Sequence, residues 1–233
     1  DAKLHPDHLD AAAAARGNQH HVQPGVVSLT QSTELGTLYT AAELSALCDR
    51  AHELGMLVHL DGARLTNAVA PLGGTRDVLR SMTIDAGVDA VSFGGTKNGL
   101  LGAEAVVFFD PDLAAGSPYL RKQVTQLPSK MRFLAAQFNA VLADDLWIDL
   151  ARHANAMAAE LYSATITIDG VELDHPPPVN SLFPRLPPAA IGPLRDWCFF
   201  WPWDLRRHQV RWMTAWDTTG DDVTTFATGV REI

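Results

Sequence analysis

Two residues stand out for what their types could do together. Asp61 closes an apolar run, Met56-Leu57-Val58-His59-Leu60, and Lys97 lies 36 residues later inside Gly94-Gly95-Thr96-Lys97-Asn98-Gly99. Asp61 falls where a strand should end, and ligands of parallel α/β sheets bind at the carboxyl ends of strands. A turn aspartate before Gly62 is the alternative reading. Lys97 is flanked by glycines, so a flat ligand can approach it closely. A buried or desolvated lysine loses proton affinity and becomes a nucleophile for Schiff-base formation. The alternatives are a phosphate-contacting lysine and an exposed loop lysine. The glycine spacing does not match a P-loop. A strand-end carboxylate and a later strand-end lysine are the two groups that a pyridoxal phosphate site needs: the lysine for the aldehyde, the carboxylate to keep the pyridine nitrogen protonated.

The elements that must position them are legible. Pro6 to Arg16 reads as a helix ended by Gly17-Asn18. Val26 to Thr30 reads as a strand and Gln31 to Tyr39 as a loop. Thr40-Ala41-Ala42-Glu43 is a capping box, followed by Leu44, Leu47, Ala51 and Leu54 at helical spacing and by Gly55 at the C-terminal cap. Met56 to Leu60 is the next strand, so strand, helix, strand predicts a parallel pair. Val88 to Phe93 and Ala105 to Phe109 read as further strands. Residues 111–162 are helical in pattern, with a helix start near Pro128-Ser129. Beyond Ser163 the chain is rich in Pro and Trp. Short strands are expected at Thr165–Ile168, Ser181–Leu186 and Val210–Thr214, and helices near Ala189–Trp197 and Asp221–Val230. The division expected is a cofactor-binding part over residues 1–143, then a helical connection and a small α+β domain over 144–233. Trp197, Trp201, Trp203, Trp212 and Trp216 crowd the latter and are expected in its core.

Composition narrows the function. The chain has 233 residues, 47% hydrophobic and 19% charged, which suits a folded globular protein. Lys plus Arg number 18 against 27 Asp plus Glu, a net charge of −9. That excess of anion disfavours non-specific binding to nucleic acid or anionic membrane. No apolar run has the length of a spanning helix. Two cysteines suit a reducing compartment, so a cytoplasmic location is expected. No metal ligands are assigned. The chain opens on Asp1 and runs straight into a helical pattern, as the interior of a longer protein would.

His59-Leu60-Asp61-Gly62-Ala63-Arg64 with Asn67-Ala68, and Ser92-Phe93-Gly94-Gly95-Thr96-Lys97-Asn98-Gly99, resemble the low-specificity threonine aldolases. Val27-Ser28-Leu29-Thr30-Gln31, Glu34-Leu35-Gly36-Thr37 and Arg211-Trp212-Met213-Thr214-Ala215-Trp216-Asp217-Thr218 support this. The resemblance covers nearly the whole chain. It implies an α/β, pyridoxal phosphate transferase-like (fold type I) large domain, incomplete at its N-terminus, with a small α+β C-terminal domain. It implies pyridoxal 5'-phosphate as cofactor and a β-hydroxy amino acid as substrate. The reaction implied is cleavage of L-threonine or L-allo-threonine to glycine and acetaldehyde through an external aldimine. Lys97 is implied to carry the cofactor, Asp61 to pair with its ring nitrogen, and Thr96 to reach its phosphate. Arg64 lies near the cofactor and, with Arg211, grips the substrate carboxylate. Lys122 matches a basic position near the site, and His20 or His21 a histidine near the substrate hydroxyl. A homodimer or homotetramer is implied.

Against the family pattern the N-terminal side is short by on the order of 100 residues. The phosphate-cradling backbone, the ring-stacking side chain and a substrate-contacting serine belong to that part. Strand edges and apolar faces are therefore expected to be exposed. Two other readings stand beside the aldolase: a truncated, inactive fold remnant that binds at most a partner, and a related pyridoxal phosphate β-eliminating lyase.

Overall fold

A computed structural model describes residues 2–125 and 127–232 of the chain. Asp1, where the chain opens, Gln126 within the expected helical stretch, and Ile233 at the end of the expected second domain lie outside the described residues.

The first half is a four-stranded sheet in the order β1-β2-β3-β4. Helix α1 (Pro6–Ala13) leads to β1 (Val26–Thr30), α2 (Ala41–Glu53), β2 (Leu57–Gly62), the short helices α3 (Leu65–Val69) and α4 (Arg76–Ser81), β3 (Ala90–Gly94) and β4 (Glu104–Phe108). The parallel pair expected from strand, helix, strand is present: β1 runs parallel to β2 and β2 to β3, while β4 returns antiparallel. The capping box starts α2. Thr40 Oγ1 accepts from the Glu43 amide at 3.1 Å, and Glu43 accepts from the Thr40 amide at 2.7 Å. The face of α2 bearing Leu44, Leu47, Cys48 and Ala51 is buried against Val27, Leu29, Val58, Leu60 and Val91 of the sheet.

The opposite face of the sheet is open. Val26, Leu57 and Val106 are exposed there. A polar chain crosses three strands between them: Ser28 Oγ bonds His59 Nδ1 and Ser92 Oγ bonds His59 Nε2, both at 2.9 Å. Parallel sheets are ordinarily covered on both faces. Among the described residues, the outer edges of β1 and β4 pair with no strand.

The expected helical stretch divides into α5 (Pro111–Ala114), α6 (Ser117–Thr125), α7 (Met131–Leu142) and α8 (Leu146–Thr165). Helix α7 starts at Met131, not at Pro128-Ser129. Helix α8 runs through Thr165, so the strand expected at Thr165–Ile168 does not form. Ala158, Leu161 and Thr165 keep a helical buried face to the end, and β-branching there did not override it.

The second half is a three-stranded antiparallel sheet, β5 (Ser181–Leu182), β7 (Gln209–Met213) and β6 (Trp201–Asp204), with α9 (Pro188–Trp197) and α10 (Gly220–Glu232). The strand expected over Ser181–Leu186 shortens to two residues, because Pro184 has no ladder donor; beyond it Arg185 pairs only in isolated bridges with Gln209 and Glu172. Strand β6 carries Pro202 and Trp203 and was not foreseen. The tryptophans are not the core expected of them: Trp212 is buried, Trp203 half-buried, and Trp197, Trp201 and Trp216 are exposed. Strand β6 is an edge of its sheet, so its outward side chains have no layer above them.

Helix α8 serves both halves. Trp147 and Ile148 at its start join the core of the first sheet, and Ala158 and Leu161 further along join that of the second.

Candidate active site

The parallel register puts Thr30, Asp61 and Ser92 side by side at the carboxyl end of the sheet. Asp61 stands on the middle one of these strands, flanked on both sides. Its Oδ1 accepts the Ala63 amide at 2.9 Å, which fixes the carboxylate over the turn, and Oδ2 has no hydrogen bond among the described residues.

Lys97 emerges at the same end, from the next strand. The loop after β3 forms one tight turn over Thr96–Asn98, closed by Gly99 in the left-handed conformation. Its path is set by backbone crowding. A Cβ on Gly94 would lie 2.7 Å from the Ala63 Cα, and one on Gly95 would lie 2.5 Å from the Ala103 carbonyl oxygen. Glycine is required at both positions by close approach. The Gly94–Ala63 contact ties the loop that carries Lys97 to the turn that carries Asp61. Either side of the lysine is anchored: the Thr96 amide donates to Glu104 at 3.2 Å and the Asn98 side chain to the Trp147 carbonyl at 2.7 Å. Lys97 itself is exposed and has no polar partner among the described residues. Of the readings open for Lys97, the structure shows an exposed loop lysine. The Thr96 side chain is exposed beside it.

Arg64 is three residues past Asp61 and caps α3; Arg211 lies in the middle of β7. One helix brings them together. Asn67 on α3 donates to Asn155 Oδ1 at 3.1 Å, and Asn155 donates back to the Asn67 carbonyl at 2.9 Å. On the adjacent residue of α8, the Ala154 carbonyl accepts from Thr214 Oγ1, just past β7, at 2.7 Å. Helix α8 thus holds both arginine-bearing elements. The two guanidinium charges lie close enough to repel one another. Burial holds the Arg64 pKa below its ordinary value, the charge of Arg211 adds to that, and Glu34 and Asp61 oppose it. Arg64 also approaches Met213 Sδ at 3.5 Å.

Arg211 is held from two sides. Its guanidinium lies 5.0 Å from the Trp203 ring centroid, and Nη1 is 3.5 Å from Glu34 Oε2. Its Nε is buried and has no acceptor among the described residues. A buried donor without an acceptor, beside a second guanidinium, is chemistry that suits an added carboxylate. Sequence reasoning assigns no role to Trp203 or Glu34. Glu34 follows the carboxyl end of β1, which is the one local signal available; nothing local marks Trp203.

Three residues that the sequence offers, His20, His21 and Lys122, are not brought to this site. His20 and His21 lie in the segment before Gly25, which enters the amino end of β1, the opposite end of the sheet from Asp61. The His20 amide donates to Asn18 Oδ1 and its ring is exposed. The strand direction, which local sequence does not display, separates them. Lys122 is exposed on α6, a helix with no buried residue that packs against α5. No hydrogen bond or ion pair joins it to Asp61, Arg64, Lys97 or Arg211.

A mixed sheet of this register, with a carboxylate at one strand end, a lysine in the loop of the next and a smaller sheet contributing an arginine, defines the fold type I class of pyridoxal phosphate proteins. The residues fit such a group: Asp61 Oδ2 is free to meet a ring N–H, the amine of Lys97 is uncommitted, and the arginine pair awaits an acid. The beta-eliminating lyase family model matches residues 1–184, and the chain belongs to that family, whose enzymes depend on pyridoxal phosphate. Two curated relatives share 42% identity over 231 residues and 40% over 233: low-specificity L-threonine aldolases of Pseudomonas aeruginosa and of a Pseudomonas species. These alignments take in 98% and 99% of this chain but 65% and 66% of the relatives. A threonine aldolase of Leishmania major superposes with a TM-score of 0.86 at 28% identity, over 100% of this chain and 68% of that one.

Proposed function

We propose that the chain carries the lysine, carboxylate and carboxylate-gripping arginines of a pyridoxal phosphate-dependent aldolase that cleaves L-threonine or L-allo-threonine to glycine and acetaldehyde. The observation that carries this reading is the meeting of Asp61, Arg64 and Arg211 at the sheet end where Lys97 emerges. The names of the Pseudomonas and Leishmania relatives support the substrate class.

Each residue has a task that its surroundings allow. Lys97 would hold the cofactor through its aldehyde. Asp61, steadied by the Ala63 amide, holds the proton on the ring nitrogen. When bound, pyridoxal phosphate supplies an electron sink for the pair released at Cα. Arg64 and Arg211 bind the substrate carboxylate and so orient the Cα–Cβ bond for cleavage. Cleavage would need a base for the β-hydroxyl proton and an acid for Cα, and the same proton passed from one to the other would leave acetaldehyde and glycine in balance. Thr96 would offer its hydroxyl to the cofactor phosphate. Lys122 and His20, set apart from the four, are assigned no part in these steps.

An assembly of two or four copies accords with the exposed apolar residues Tyr119, Leu120 and Val124 of α6 and Phe133 of α7. A cytoplasmic setting accords with the free cysteines Cys48 and Cys198. Among the described residues no helix is long and apolar enough to cross a membrane. A second reading, a fold that does not retain cofactor by itself, is favoured by the exposure of Lys97 and of the sheet face around Ser28, His59 and Ser92.

Cofactor trapping decides between them. Pyridoxal phosphate is added to the purified chain, the visible absorbance is followed, and borohydride reduction is mapped by mass spectrometry. Label at Lys97 that disappears in Lys97→Ala supports the first reading, and threonine and serine assays then separate aldol cleavage from β-elimination. Absence of specific label sinks the claim that this chain alone assembles the site.

A further inference from the structure

Arg64 and Arg211 are mutually repelling cations; Glu34 and Asp61 offset the charge at Arg64, and Glu34 lies 3.5 Å from Arg211. The two carboxylates are not equivalent. Asp61 is built into the turn by the Ala63 amide. Glu34 sits on the loop after β1 with its side chain 58% exposed, whereas Arg211 is 17% exposed. The contact between them, 3.5 Å, is long beside the roughly 2.7–2.9 Å of a strong charge-assisted hydrogen bond. Glu34 has no other hydrogen bond among the described residues, while Arg211 is fixed by its strand and by the face of Trp203. The cation is pinned and the anion is loose.

We propose that Glu34 is a displaceable counter-ion: it stands on Arg211 in the free protein and yields that place to the carboxylate of an incoming ligand. This rests on the reading of Arg64 and Arg211 as the carboxylate grip. The device keeps two crowded guanidiniums compatible with folding and lets a ligand replace one ion pair by a better one. It also lowers the affinity of every added anion by the same factor, since each must compete with a tethered carboxylate. An exposed ion pair is a modest competitor, so its removal strengthens carboxylate binding by about two- to fivefold.

The test uses acetate as probe, titrated into the purified chain without cofactor and followed by saturation-transfer NMR, with acetamide as the neutral control. Circular dichroism verifies that each variant is folded. Glu34→Gln is expected to bind acetate about two- to fivefold more tightly than the parent chain, and Glu34→Asp to restore competition in part. Arg211→Met is expected to abolish the preference for acetate over acetamide. If Glu34→Gln leaves acetate affinity unchanged or weakens it while Arg211→Met abolishes it, the arginine site stands and the displacement is overturned. If acetate binding does not depend on Arg211 in any variant, the carboxylate grip itself is wrong, and this inference goes with it.

Discussion

Asn67 and Asn155 exchange two hydrogen bonds, at 3.1 and 2.9 Å, between α3 and α8. That pair, 88 residues apart in sequence, sets the position of Arg64 against an element that also holds the strand of Arg211. Asn155→Ala would leave a largely buried Asn67 amide without its acceptor, which costs about 1–3 kcal/mol. The variant is expected to unfold earlier in denaturant and, when assayed as holoenzyme, to show a raised KM for threonine with a smaller change in kcat. An unchanged KM would separate this pair from substrate binding.

Gly94 presses on Ala63, where an added Cβ would meet backbone atoms at 2.7 and 2.9 Å. Backbone cannot rotate away as a side chain can. Gly94→Ala is expected to lower stability by about 1–3 kcal/mol and to reduce borohydride labelling at Lys97, because the turn of Asp61 and the loop of Lys97 are pushed apart. Thermal melting and peptide mapping read the two effects independently.

Arg211→Lys keeps the charge but loses the planar fork and much of the stacking on Trp203. Loss of one charge-assisted hydrogen bond is worth roughly 2 kcal/mol, about thirtyfold in kcat/KM. Steady-state kinetics on threonine should show this fall. Cofactor absorbance should be unchanged, since Arg211 is assigned to the substrate.

The start of α2 titrates. The Thr40 amide holds the Glu43 carboxyl below its ordinary pKa, Lys3 at 2.9 Å adds to this, and partial burial opposes both. A depressed carboxyl contributes stability above its unfolded value and loses it as pH falls through the folded one. Acid titration of stability should therefore be shallower in Glu43→Gln than in the parent chain at pH below the ordinary glutamate range. Thr40→Ala removes the cap and is expected to cost about 1 kcal/mol at neutral pH, read by urea denaturation.

The cysteines differ in reach. Cys48 is fully buried in the first core, and burial with Asp89 and Asp49 nearby pushes its thiol up to about 12. Cys198 is exposed, and partial burial raises its thiol by less. A disulfide reagent at neutral pH should modify Cys198 in the folded chain and reach Cys48 only on unfolding. Rapid reaction of both would contradict the packing of α2 on the sheet.

Much of this site can be read from the chain alone. Asp61 and Lys97 are marked by what surrounds them, an apolar strand and a glycine-rich turn, and the cap and period of α2 predict the parallel pair of β1 with β2, the strand that carries Asp61. These signals are local: hydrophobic period, turn residues and caps act within a few residues. What the chain could not declare depends on distant partners. The end of the sheet at which His20 lies depends on strand direction. The pairing of Glu34 with Arg211, the ring of Trp203 beneath that arginine, and the exposure of Lys97 and of the outer tryptophans depend on which surfaces other elements cover. Residue types and spacings determined the chemistry available to this protein. The meeting of those residues was decided by α8, through contacts between segments 60 to 90 residues apart, because packing and burial belong to the folded chain and not to any stretch of it.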